Sequence, residues 1–292
     1  MKVLVTGAKG QVGSALCRLG ARGPMDVIGL DSSVLDVTSP FAIKATIERL
    51  QPDFLINAAA YTAVDKAESD PDKAERVNAW AAGYLAEATA ARKIPLIHIS
   101  TDYVFDGAKT GPYEETDPVA PLGVYGRTKL QGERLVQQHQ DKALIFRTSW
   151  VFGLEGNNFP KTMLRLAKER PELGVVADQR GCPTFADDIA SSALAIISRY
   201  EKTGTLPWGL YHYAGKDPCS WYEFAAFIFA TAKARKVLKD TPVLKALTTL
   251  EYPTAARRPA NSVLGCRKFS AQFPDVALSD WRAGIQKLLT IQ

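Results

Sequence analysis

Lys2-Val3-Leu4-Val5-Thr6-Gly7-Ala8-Lys9-Gly10-Gln11-Val12-Gly13 runs from an apolar segment into three evenly spaced glycines. Its short apolar, β-branched opening predicts a strand, the three glycines a tight turn, and residues 14–19 a helix. Strand, glycine turn and helix in that order suit a dinucleotide: the glycines let backbone N–H groups approach a pyrophosphate, and the helix N-terminus favours its charge. The spacing is G-x-x-G-x-x-G, one residue longer than the standard G-x-G-x-x-G fingerprint, so the strand-turn-helix context carries the reading more than the pattern does.

Working outward, residues 27–30 form a second apolar run that ends at Asp31, where a second Rossmann strand presents an acid to the adenosine ribose. That placement leans towards NADH, while Lys9 leaves room for the 2′-phosphate of NADPH. Asp36 and Val37 are placed at the adenine edge, with Thr38 or Ser39 as the cap of the next helix. Residues 54–56 read as a third strand, after which Ala60, Tyr61 and Thr62 let backbone lie close to a nicotinamide ribose. Residues 71–92 predict one long helix packed on the sheet, with Asn78 as a buried structural hydrogen-bonding group. Residues 94–99 form a fourth strand ending in Ser100-Thr101-Asp102, where open α/β sheets bind ligands.

Beyond it, Tyr125-Gly126-Arg127-Thr128-Lys129 places a phenol and an ammonium one helical turn apart on a shared face. A cation beside a tyrosine stabilises phenolate and brings a pKa near ~10 towards the working range. The spacing alone also fits an ordinary solvated helix. Residues 106–121, rich in Gly and Pro, predict a loop that covers the surface or acts as a lid.

With 292 residues, 46% of them hydrophobic, the chain is long enough for one large or two modest domains. We expect an α/β fold: a Rossmann-type doubly wound parallel sheet over residues 1–148, with a returning segment near 186–215. A smaller α/β substrate domain spans most of residues 149–292, interleaved with the first. The +5 formal charge is scattered without a basic run, which argues against nucleic acid and suits an anionic small molecule. Four cysteines lack C-x-x-C spacing and three histidines lack ligand spacing, so we expect no disulfide scaffold and no metal ligands. No leader and no membrane segment are expected, which leads us to place the protein in the cytoplasm.

The motifs, taken in order, resemble those of the extended short-chain dehydrogenases/reductases. They are the glycine turn at 7–13, Asn57-Ala58-Ala59-Ala60, Ser100-Thr101-Asp102-Tyr103-Val104-Phe105, and Tyr125 with Lys129. Gly10-Gln11-Val12-Gly13, residues 62–68, Phe146-Arg147-Thr148-Ser149-Trp150-Val151 and Ala256-Arg257-Arg258-Pro259 extend the resemblance across the chain to the dTDP-4-dehydrorhamnose reductase family. The resemblance implies reduction of a nucleotide-sugar ketone with NADPH or NADH. It makes Tyr125 the proton donor, Lys129 the group that tunes it and binds the nicotinamide ribose, and Thr101 the hydroxyl that polarises the carbonyl. It implies Gly7, Gly10, Gln11, Val12 and Gly13 as cofactor contacts. Val64, Asp102, Tyr103 and Trp150 are implied on the sugar side, with residues 157–159 and 178–184, Arg257 and Arg258 towards the thymidine diphosphate. It also implies Mg2+, which bridges a dimer in some members through a glutamate just after the glycine turn. Ala15 stands there instead, so we expect a monomer or a homodimer built differently. The other readings are a nucleotide-sugar epimerase or dehydratase, and a non-catalytic regulatory subunit.

Overall fold

The computed structural model describes residues 1–290. Its centre is a six-stranded parallel sheet of β1 (Lys2–Thr6), β2 (Asp26–Leu30), β3 (Phe54–Asn57), β4 (Leu96–Thr101), β5 (Ala143–Thr148) and β6 (Gly209–His212). The spatial order is β6-β5-β4-β3-β1-β2, which makes this a doubly wound Rossmann-type sheet. Strands buried on both faces must be apolar throughout, as Phe54, Leu55 and Ile56 are.

One face is covered by α1 (Gln11–Gly20) and a long helix at Ala186–Thr203, whose Leu16, Ile189, Ala193 and Ile196 join Val3, Val5 and Phe146 in one core. Helix α2 (Pro40–Leu50), α3 (Ala81–Ala91) and α4 (Val124–His139) cover the other, with Ile43, Leu85 and Val136 against Leu4 and Leu55. Ser39 caps α2 by accepting from Ala42 N, and Asp36 instead accepts from Thr38.

The single long helix expected over 71–92 is broken into Pro71–Glu75, a π turn at Arg76–Trp80, and α3. The wider turn carries Asn78, whose side chain accepts from Tyr61 N (2.8 Å) and donates to Tyr61 O and to Thr128 Oγ1. Asn78 is therefore a buried strut that ties the segment after β3 to α4.

Later residues build a second core from α5 (Phe159–Glu169), α7 (Trp221–Ala234), α8 (Trp281–Leu288) and a parallel strand pair, Glu172–Val176 with Val243–Leu247, while the long helix between them, α6 (Ala186–Thr203), belongs to the first core. Phe152, Leu173, Phe185, Phe224, Ile228 and Trp281 fill it. Ser220 and Glu223 form a reciprocal capping box at the start of α7. The acids at the start of α6 read as its N-cap, but they do not cap it: Asp187 pairs with Arg18 and Asp188 accepts from Ser279.

The loop between Phe105 and α4 is packed down. Tyr113 stacks on Phe105 at 4.2 Å, donates its N–H to Val263 O and accepts from Gly265 N, which makes the loop a surface covering.

Candidate active site

Two cavities lie at the carboxyl end of the sheet. The first, ≈ 530 Å³, is lined by Gly10, Gln11, Val12, Ala60, Thr62, Val64, Thr101, Asp102, Tyr103, Tyr125, Lys129 and Trp150 among the residues the sequence singles out. Gly7, Gly13, Asp31, Asp36, Val37 and Tyr61 are not part of that lining. Gly7 and Gly13 are turn makers: a Cβ on Gly13 would come 2.1 Å from Gly7 O, and Gly7 itself has φ +69°. Asp31 stands just beyond, paired with Lys9 at 2.8 Å and accepting from Ser33 N. The Lys9 hydrogen bond holds its carboxyl down at about 2. Tyr61 is gripped through its backbone by Asn78.

Tyr125 and Lys129 reach the cavity because α4 approaches the end of β4 closely. A Cβ on Gly126 would lie 2.1 Å from Tyr103 O, so glycine is required between the two. Burial pushes the Tyr125 phenol well above its ordinary value, with a hydrogen bond to Thr101 opposing the shift. The Tyr103 ring meets Tyr125 edge to face at 5.4 Å. Lys129 is 2% exposed and donates to Ile99 O at 2.6 Å. Burial lowers its pKa to about 8, against the opposing charge of Glu133. The ammonium is thus directed at the backbone of β4, and the phenol that it was expected to draw down is instead held up by burial.

Thr101 accepts from Tyr103 N and donates to Asp102 Oδ1 at 3.0 Å. Burial raises Asp102 to about 6, and its Oδ2 has no hydrogen-bond partner, although Ser262 lies near enough to temper the shift.

Beneath this layer is a buried network that the sequence reading does not single out. Arg147 forks onto Glu133 through Nε (2.9 Å) and Nη2 (2.7 Å), and Ser100 donates to Glu133 Oε1 at 2.5 Å. Two signals were legible: an arginine closing an otherwise apolar strand, and a glutamate four residues after Lys129. Ser100, Thr148, Ser149, Gly156, Asn157 and Asn158 also line the cavity.

The second cavity, ≈ 430 Å³, is lined by Phe159, Met163 and Leu166 of α5, by Val175, Gln179, Trp221 and Tyr252, and by Tyr103 and Arg258, so it meets the first at Tyr103. Trp150 lines the first cavity and Trp221 the second, and their rings stack at 3.5 Å and 6°. Trp150 takes a left-handed backbone, φ +47°, a strained conformation that persists where its surroundings impose it. The arginine fork expected for a diphosphate is engaged at Arg258, which donates to Asp65 Oδ2 (2.7 Å) and Tyr103 Oη (2.9 Å). Arg257 is exposed and outside either lining.

The magnesium implied by the resemblance does not fit these residues. Ala15 is fully buried and brings no carboxylate, and Asp187 Oδ1 is held at 2.6 Å by Arg18, which also donates to Glu155. Among the described residues no three His, Cys, Asp or Glu side chains gather as a metal site. All four cysteines are free. His98 and His212 are buried against Asn57 and Tyr113 O, and burial holds both rings well below their ordinary pKa. Among the described residues no helix is long and apolar enough to cross a membrane.

A glycine turn after β1 and a hydroxyl, phenol and ammonium at the end of β4 define an NAD(P)H-dependent oxidoreductase of the Rossmann class. Comparison narrows the class. The family model described as RmlD substrate binding domain matches residues 1–292. A dTDP-4-dehydrorhamnose reductase of Aggregatibacter actinomycetemcomitans is 47% identical over 288 residues, 98% of each chain. The crystal structure of a dTDP-4-dehydrorhamnose reductase from Clostridium acetobutylicum superposes with a TM-score of 0.91 at 37% identity, covering 100% of this chain and 99% of that one. The Bacillus anthracis reductase in complex with NADP gives 0.90 at 35% identity, with the same coverage. The chain belongs to the dTDP-4-dehydrorhamnose reductase family.

Proposed function

We propose that the protein reduces the 4-keto group of dTDP-4-dehydro-L-rhamnose to give dTDP-L-rhamnose, with NADPH or NADH in the first cavity and Tyr125 as the proton donor. The observation that carries this reading is the convergence of Tyr125, Thr101 and Lys129 on the cavity that the glycine turn also lines. A bound nicotinamide supplies the hydride. Burial keeps the Tyr125 phenol protonated at neutral pH, the form that a donor to the forming alkoxide requires. Thr101 turns its hydroxyl from Asp102 to the substrate oxygen and, with the charge of Lys129 one turn further along α4, stabilises the phenolate left behind.

Asp31 and Lys9 would meet the adenosine ribose, the carboxylate suiting its hydroxyls and the ammonium a 2′-phosphate. Gly10 and Val12 would present the turn to the pyrophosphate, Ala60 and Thr62 would flank the nicotinamide ribose, and Val64, Asp102, Tyr103 and Trp150 would meet the sugar. The thymidine diphosphate belongs in the second cavity, where aromatic and aliphatic walls suit a base. In this division residues 1–148, with a return near 186–215, hold the cofactor, and most of 149–292 hold the nucleotide sugar.

The test is an absorbance assay with dTDP-4-dehydro-L-rhamnose and each nicotinamide cofactor. One cofactor oxidised per sugar reduced is expected. Sugar conversion with no net cofactor oxidation would instead point to an epimerase or dehydratase, and binding of both ligands without turnover to a regulatory subunit.

A further inference from the structure

Gln11 belongs to the glycine turn, yet its side chain crosses to the other half of the molecule. Its Nε2 donates to Val151 O at 3.2 Å, and its Oε1 accepts from Asn158 Nδ2 at 3.1 Å. Asn158 also donates to Gly153 O at 2.8 Å, and its Oδ1 caps α5 by accepting from Lys161 N at 3.1 Å. Neighbouring backbone groups set both amide orientations: a carbonyl fixes the donor end of Gln11, and an N–H fixes the acceptor end of Asn158. A second link runs parallel, from Arg18 on α1 to Glu155 in the same loop and to Asp187 at the head of α6.

Each end of the Gln11 bridge bears on a wall of the other cavity. Val151 directly follows Trp150, whose left-handed backbone sets the ring against Trp221. Asn158 begins α5, whose Phe159, Met163 and Leu166 line the second cavity. The residue that shapes the turn at the first cavity therefore also holds the two features that shape the second.

We propose that Gln11 is a positioning residue that couples occupancy of the dinucleotide cavity to nucleotide-sugar binding, acting through Val151 and Asn158 on Trp150 and α5. Ligand against the turn sets the Gln11 amide, which orders the 151–158 loop and so the walls of the second cavity. By linkage, ligand in the second cavity tightens binding in the first. The proposal rests on the assignment of the two cavities made under the proposed function.

The experiment titrates NADPH by fluorescence with and without saturating dTDP in the wild type, Gln11→Met and Asn158→Asp, with thermal melts as a check on folding. Gln11→Met keeps the length and removes both hydrogen bonds. Asn158→Asp keeps the α5 cap and removes the donations to Gln11 and to Gly153 O. The wild type is expected to bind NADPH at least about fivefold tighter with dTDP present. In both variants that ratio should collapse to near unity, whatever the change in NADPH affinity without dTDP. A merely structural amide would lower the melting point and leave the ratio intact, and that result overturns the proposal. So does independent binding of both ligands by the wild type, which leaves the functional reading standing. Failure of the wild type to bind dTDP at all overturns that reading and the proposal together.

Discussion

The two cavities are built from different materials. The first is made of backbone turns and short polar side chains set at strand ends over a buried ionic network of Ser100, Glu133 and Arg147. The second is made of helix faces and stacked aromatics, Phe159, Trp221 and Tyr252, with Arg258 at its margin already paired to Asp65. The contrast teaches a division of labour: proton chemistry needs groups whose positions and charges are rigidly imposed, whereas recognition of a base needs area and shape. Substitutions in the first should strike turnover or global stability, and those in the second should strike affinity.

The largest effect on the fold is expected beneath the first cavity. Glu133→Ala leaves the Arg147 guanidinium buried without its partner, and urea unfolding should show a loss of about 3–5 kcal/mol, the scale for a broken buried ion pair. A loss below about 1 kcal/mol, as for an exposed pair, would erase the distinction between the two regions.

Next comes pH. Lys129 has its pKa depressed to about 8, so its charge is present below that pH and is lost as pH rises through it. The free-enzyme kcat/KM should therefore fall above about pH 8, approaching tenfold per unit, and a profile flat to pH 10 would remove the ammonium from the mechanism.

In the second cavity, Trp221→Ala removes the stack on Trp150 and should weaken dTDP binding by about 2- to 10-fold in a calorimetric titration, the scale of one aromatic pair, with kcat nearly kept. A collapse of kcat with unchanged affinity would mean that the two cavities do not divide the work. Smallest is the effect of chelation. With Arg18 holding Asp187, EDTA should change neither activity nor sedimentation, and chelator-sensitive dimerisation would contradict that.

The first cavity was largely legible in the sequence, and its underlay was not. Strand-turn-helix at 2–19, the apolar strand that leads into Ser100-Thr101-Asp102, and the Tyr125–Lys129 spacing are local patterns, so periodicity and turn chemistry expose them. The π turn at Asn78 was hidden because what holds it is not local: its hydrogen bonds reach Tyr61 and Thr128 far along the chain. The pairing of Asp187 with Arg18 was hidden for the same reason, since acids at a helix start read as caps until the partner helix is placed. Arg258 read as a free fork because nothing near it in sequence reveals Asp65. Gln11 entered as a cofactor contact through the family resemblance, and only tertiary placement sends its amide to Val151 and Asn158. The second cavity was the least legible, because a wall of α5, α7 and strand residues has no local signature apart from amphipathic helices.

The most direct measurement of the central claim sets NADPH affinity beside the single-turnover reduction rate in Tyr125→Phe, with dTDP-4-dehydro-L-rhamnose as substrate. The phenylalanine keeps the buried ring and removes only the hydroxyl. The rate should fall by about 10²–10⁴-fold while NADPH affinity survives, as expected when a positioned acid is removed. A rate within a few-fold of the wild type would show that the proton comes from elsewhere and would contradict the assignment of Tyr125.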